Sequence, residues 1–187
     1  MAVLEEHRHR HFTADEVQRM LEAGILSEDE PLELLEGELV FVSPQDPKHV
    51  VATEKIRREL ERVAGAHLHT RMHSPIAAGP DSLPEPDVAL VKGAIGDFAA
   101  CHPAGSDLVL AVEVAHTSQS GDRAKAAIYA RAGVPVYWAV DLAARRMEVR
   151  SEPLPNGRYG RLETYTEDDR IPVPGTDVLL AARDLLP

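Results

Sequence analysis

Cysteine is nearly absent, with Cys101 the only one in the chain. A single thiol makes no internal disulfide and no cysteine-rich zinc site. The expectation for it is a buried or neutral side chain. Aromatic residues are also scarce, at 4%, so the core has to be assembled from Leu, Val, Ile and Ala. No apolar run approaches the ~20 residues of a membrane helix. The N-terminal stretch MAVLEEHRHRHF has neither an apolar signal core nor a cleavage-site pattern, and a reduced, cytoplasmic setting is the expectation. Positive charge is in deficit: 20 Lys and Arg against 31 Asp and Glu give −11. That balance argues against a protein that grips nucleic acid through a broad basic face.

The 187 residues fit one domain, and 44% hydrophobic with 27% charged residues is ordinary globular usage. Residues 1–11 read as a mobile tail in which His7, His9 and His11 alternate with arginines, a metal site being the less favoured reading. Residues 12–187 read as one domain. Thr13 and Glu16 form a capping box for a helix carrying Val17, Met20 and Leu21 and ending near Gly24. A hairpin follows, with strands near 32–35 and 38–43 around Glu36-Gly37. A helix over 47–64 is predicted with Val50, Val51, Ile56, Leu60 and Val63 on its apolar face. Residues 67–72 alternate as a strand, 75–86 form a proline-rich loop, and 88–91 a short apolar strand. Beyond a second loop over 92–106, DLVLAVEV (107–114) suits a strand covered on both faces. A helix from Ser120 or Asp122 to Ala132, stopped by Gly133, leads into the strand 136–140. Strand, helix, strand makes a βαβ crossover with parallel neighbours. The fold class is therefore α/β, a mixed β-sheet flanked by helices; 147–150 adds a strand and the remainder reads as short strands and turns.

Two carboxylates do not fit that core. Glu113 interrupts an apolar strand, and a buried carboxylate requires a cation, a metal or a proton. Asp87 follows Pro86 at the start of another strand. If the two strands are adjacent, both carboxylates point into one cleft, and two hard oxygens plus a backbone carbonyl suit Mg²⁺ or Mn²⁺. Lys125, on the crossover helix, can lean over the strand end to orient a water or stabilise phosphate charge. Glu33 in the hairpin can add a carboxylate. Each has a bland alternative: Asp87 as a turn cap, Glu113 paired with Arg123, Lys125 solvated, Glu33 a polar strand residue. Tyr129, Tyr137 and Trp138 read as core.

The tracts ELLEGEL (33–39), SPQDPKH (43–49), PEPDVALV (84–91), LVLAVEVAHTS (108–118) and DRAKAAIYARAGVPVYWAVDL (122–142) occur in that order. Together they resemble the Uma family of bacterial endonuclease domains, within the restriction-endonuclease-like PD-(D/E)xK superfamily. The likeness covers nearly the whole chain and is most specific in AGVPVYWAVD after a Lys-x-x-x-Tyr helix. It implies a restriction-endonuclease-like core and metal-dependent phosphodiester hydrolysis. Asp87 and Glu113 match the metal-holding acids, the carbonyl of Val114 the third ligand, and Glu33 the early carboxylate. The superfamily lysine position, two after Glu113, is Ala115 here; the family's lysine falls on Lys125. The spacing between Asp122 and Lys125 is one residue shorter than is frequent in the family, and one residue turns a helical side chain by about 100°. His49 matches a family histidine that can contact a phosphate or the carboxylates, and His116 is a further possible partner of the site. The implied protein is an endonuclease acting on DNA with Mg²⁺ or Mn²⁺, binding weakly through local arginines such as Arg57, Arg58, Arg71 and Arg123. Homodimerisation, common among two-strand-cutting nucleases, is a further expectation. The alternatives are an inactive nucleic-acid- or protein-binding module of the same fold, or a phosphoesterase acting on small nucleotides.

Overall fold

The computed structural model describes residues 9–27, 29–115 and 119–187, with the side chains of 119–123 left out. His116, and any pairing of Arg123 with Glu113, lie outside the described residues. The elements follow the hydrophobic periodicity closely. Helix α1 spans Ala14–Glu22, and Thr13 and Glu16 make the reciprocal capping box. Strands β1 (Leu32–Leu35) and β2 (Glu38–Phe41) form the hairpin, with Leu35 opposite Glu38. Both turn residues, Glu36 and Gly37, have positive φ, which matches the twist of the flanking strands. A Cβ on Gly37 would come within 2.7 Å of the His11 ring, so only glycine fits there. The loop before the second acidic segment staples this hairpin: the Glu36 amide donates to Ser82 Oγ at 2.9 Å and the Leu83 amide to the Leu34 carbonyl at 2.7 Å.

Helix α2 (Pro47–Val63) starts on an Asp46 cap with proline at its first turn. Its buried stripe is Ala52, Thr53, Ile56 and Leu60. Val50 and Val51, expected on that stripe, are 45% exposed. The stripe of Ala52, Thr53, Ile56 and Leu60 sets the rotation, and at about 100° per residue Val50 and Val51 fall more than about 100° from its centre, toward solvent. Strands β3 (Leu68–Arg71), β4 (Val88–Lys92), β5 (Leu108–Ala115), β6 (Val136–Asp141), β7 (Arg146–Leu154) and β8 (Arg158–Thr166) form one six-stranded sheet in sequence order. Only β5 and β6 run parallel, joined by helix α3 (Gln119–Arg131). The βαβ crossover is therefore present, and the sheet is mixed. β8 is a full nine-residue strand where short pieces were expected; its alternation of exposed and half-buried residues carries too few apolar positions to announce it. Small strands β9 (Arg170–Pro172) and β10 (Leu179–Ala181) pair with each other, and helix α4 (Ala182–Leu185) closes the chain.

The sheet buries both faces. Leu110, Val112 and Val114 of β5 face the layer of α2 and α4, whereas Ala111 faces the α3 layer with Ala89, Tyr129 and Tyr137. Period-2 alternation puts Glu113 on the α3 face with Ala111, and Asp87, preceding Val88, on the same face as Ala89. Tyr129, Tyr137 and Trp138 are fully buried, as expected of core residues. Cys101 is exposed rather than buried, because the Gly/Ala/Pro loop that carries it has no element packed over it. Among the described residues no helix is long and apolar enough to cross a membrane.

Candidate active site

β4 and β5 are antiparallel with Val88 opposite Val112, so the register carries Asp87 to the level of Glu113. Asp87 lies just beyond the end of β4, where the sheet leaves β5 backbone groups without a strand partner, and its Oδ2 accepts the Val114 amide at 2.7 Å. The turn-capping reading of Asp87 thus holds in part: it caps a neighbouring strand. In a strand the N–H and C=O of one residue project to the same edge. The Val114 carbonyl therefore faces this gap too, on the side from which His49 of α2 approaches. His49 Nε2 also lies 3.2 Å from Asp87 Oδ2. Burial works against a charged imidazole there, but Asp87 outweighs it and holds the His49 pKa above its ordinary value. His73, from the loop after β3, stands 3.6 Å from Asp87 Oδ1.

Lys125 reaches the same cleft from α3. Its Nζ is 2.9 Å from Glu33 Oε1 in hydrogen-bond geometry, and 2.9 Å from Oε2 in a purely electrostatic approach. It is 3.1 Å from Glu113 Oε1 and 3.3 Å from Oε2. The one-residue shortening before Lys125 has not turned it away: the side chain is 16% exposed and points inward. Tyr129, one helical turn later on the same face, donates its hydroxyl to Glu113 Oε1 at 2.5 Å. Glu33 comes from β1, where it and Leu34, on opposite faces of the strand, are both buried.

The electrostatics of this cluster are uneven. Burial pushes the Glu113 carboxyl up to about 8; Lys125 counteracts this, while Asp87 and Glu33 add repulsion. Burial likewise disfavours the Lys125 ammonium, yet Glu113 and Glu33 together hold it well above the ordinary lysine range. Glu85, two residues before Asp87, is raised by burial and then by Glu33. Glu33, Asp87 and Glu113 are each less than a tenth exposed; Glu33 and Glu113 share the Lys125 ammonium, while Asp87 meets His49 and His73.

All four residues singled out as catalytic, together with His49 and the Val114 carbonyl, converge here; Arg57 does not, being tied to Glu54 and Glu61 on the outer face of α2. Glu85, His73 and the hydroxyl of Tyr129 were missed. The i,i+2 spacing of Glu85 and Asp87 and the i,i+4 spacing of Lys125 and Tyr129 were the available signals. Among the described residues no three His, Cys, Asp or Glu side chains form a ready-made metal cage. The donor set nonetheless fits a hard divalent cation that keeps several waters: two carboxylates in register and one carbonyl beyond the sheet edge.

Known proteins bear on this arrangement. The family model Uma2, described as "Putative restriction endonuclease", matches residues 14–182. The crystal structure of a putative nuclease belonging to DUF820 from Anabaena variabilis ATCC 29413 superposes with a TM-score of 0.76, covering 93% of this chain and 97% of that one. The two share 18% sequence identity, so the likeness is one of fold. No curated protein matches the sequence.

Proposed function

The chain belongs to the Uma2 family of putative restriction endonucleases, and from that premise we propose that it is a Mg²⁺- or Mn²⁺-dependent endonuclease hydrolysing DNA phosphodiester bonds. The observation that carries this reading is the convergence of three buried carboxylates, Glu33, Asp87 and Glu113, with Lys125 between two of them and the imidazoles of His49 and His73 on the third. Such a cluster is costly unless a cation completes it.

Asp87, Glu113 and the Val114 carbonyl would hold the metal. When bound, it would neutralise the scissile phosphate and lower the pKa of a water. Lys125, fixed between Glu33 and Glu113, presents its ammonium at the mouth of the cleft to orient the attacking water and oppose charge developing on the phosphate. Glu33 anchors that ammonium so that it does not fold onto Glu113 alone. Tyr129 holds one oxygen of Glu113 by hydrogen bond and so fixes the carboxylate plane. His49, bonded to Asp87, is placed to contact a phosphate oxygen as it enters. Two copies pairing would set two such clefts against two strands, which sedimentation velocity would read directly.

The test is cleavage of supercoiled DNA with Mn²⁺ by wild type, Asp87→Ala and Glu113→Ala. Loss in both variants supports the reading, and equal cleavage by all three assigns the activity to a contaminant. Calorimetric titration with Mn²⁺ separates the non-catalytic alternative: no binding up to millimolar metal would favour a module that keeps the fold without the chemistry.

A further inference from the structure

Beside the catalytic cleft, on the other flank of α3, a cavity of about 310 Å³ opens between that helix and the β7–β8 ribbon. We propose that this groove binds the sugar-phosphate backbone of the nucleic-acid strand a few nucleotides from the scissile phosphate. The proposal rests on the nuclease reading and deepens it by naming where an acidic protein holds its polyanionic substrate.

Three of the groove's lining residues are arginines, Arg150, Arg158 and Arg161, and none is acidic. That is a local reversal in a chain of net charge −11, and a concave basic site focuses potential even where the total charge is unfavourable. The wall opposite the arginines is Ala126 and Ala127, small side chains that leave room for a backbone to lie close. Arg150 is held at the floor, 27% exposed, with one nitrogen 2.6 Å from Glu148 and its buried Nε without a partner among the described residues. Arg161 is 58% exposed and pairs with Glu163 at 2.8 Å. Arg158 forms no ion pair among the described residues. Gly157, at φ 79°, brings the ribbon's tip so close to α3 that a Cβ would lie 2.8 Å from Nη1 of Arg131, whose other terminal nitrogen is paired with Glu36. Guanidinium forks match the paired oxygens of a phosphate or a carboxylate, so this residue choice favours an oxyanion over an apolar ligand, and the nuclease reading makes that oxyanion a phosphate.

The position suits the same strand that enters the cleft. Along the sheet, Glu113 of β5 is level with Ala139, then Glu148 and Thr164, and Arg161 lies three residues before Thr164 on β8. Three strand spacings, about 14 Å, and three residues along β8, about 10 Å, put Arg161 about 17 Å from the level of Glu113, or roughly five base-pair rises at ~3.4 Å along a duplex axis. α3 itself carries Lys125 to the cleft and Ala126 and Ala127 to the groove, so one helix positions both contacts.

The experiment measures fluorescence anisotropy of a labelled duplex of about 20 base pairs with Mg²⁺, over a salt series, all proteins carrying Glu113→Gln to keep the probe intact. Arg158→Glu with Arg161→Glu is expected to weaken binding at least tenfold and to lower the slope of log K against log salt by about two. A control pair, Arg62→Glu with Arg183→Glu, makes the same change in net charge on the exposed faces of α2 and α4 and is expected to leave the slope unchanged. Equal loss in both pairs, an unchanged slope in the groove pair, or no binding by the parent protein overturns the groove. Cleavage by the protein without Glu113→Gln is read separately. Groove-dependent binding without any cleavage would leave the groove standing and sink the nuclease reading; cleavage with groove-independent binding would do the reverse.

Discussion

At the β4–β5 end of the sheet, Glu33, Asp87 and Glu113 are each less than a tenth exposed; Lys125 bridges Glu33 and Glu113, and His49 and His73 face Asp87. At the β7–β8 end, Arg161 and Glu163 form their pair largely in solvent. Both ends sit under the same helix, yet the physics differs. Buried charges act through desolvation, so removing one partner strands the other. Exposed pairs are screened and contribute little to folding, which leaves their arginines free to exchange a carboxylate for a phosphate. The first end is built for a reaction and is expensive to disturb; the second is suited to reversible contact and is cheap.

Breaking the buried end should therefore have the largest effect. Lys125→Met leaves Glu33 and Glu113 uncompensated and is expected to cost about 3–5 kcal/mol, a drop of roughly 6–20 °C in Tm by thermal melt. Adding Glu113→Gln to that variant should recover part of the loss; no recovery would mean that the ammonium does not serve these carboxylates. Glu113→Gln alone should reduce DNA cleavage at least about 100-fold, which corresponds to roughly 2.7 kcal/mol of barrier. Tyr129→Phe removes one hydrogen bond to a buried carboxylate and should cost about 1.5 kcal/mol, seen as a fall of roughly 3–6 °C in Tm. At the other end Arg161→Ala is expected to leave Tm within about 2 °C of wild type. A large drop there would erase the contrast between the two ends.

Much of the frame was legible in the chain. The capping box at Thr13, the Glu36-Gly37 turn, the Asp46-Pro47 start of α2 and the βαβ unit around α3 are local signals, and each appears where it was expected. Glu113 announced itself because a carboxylate between Val112 and Val114 contradicts its own strand. Other features depended on contacts that no local pattern records. Val50 and Val51 are apolar but lie off the face that Ala52, Ile56 and Leu60 turn to the sheet, and they are exposed. His73 and Glu85 become neighbours of the acidic cluster only when the proline-rich loop folds back. The arginine groove joins residues of α3 with residues of β7 and β8, and β8 has too weak an apolar alternation to be placed from sequence.

The sequence by itself determined the periodicities, the caps and turns, the α/β class and the presence of acids that a core cannot absorb. These follow from interactions within a few residues and from the cost of burying charge. Tertiary structure decided which of those acids meet, and on which side of α3 each basic residue acts. A one-residue change in helix phase moves a side chain by about 100°, and only the packing of α3 on the sheet fixes that phase. It turns Lys125 toward Glu33 and Glu113, and leaves Ala126 and Ala127 facing the arginines.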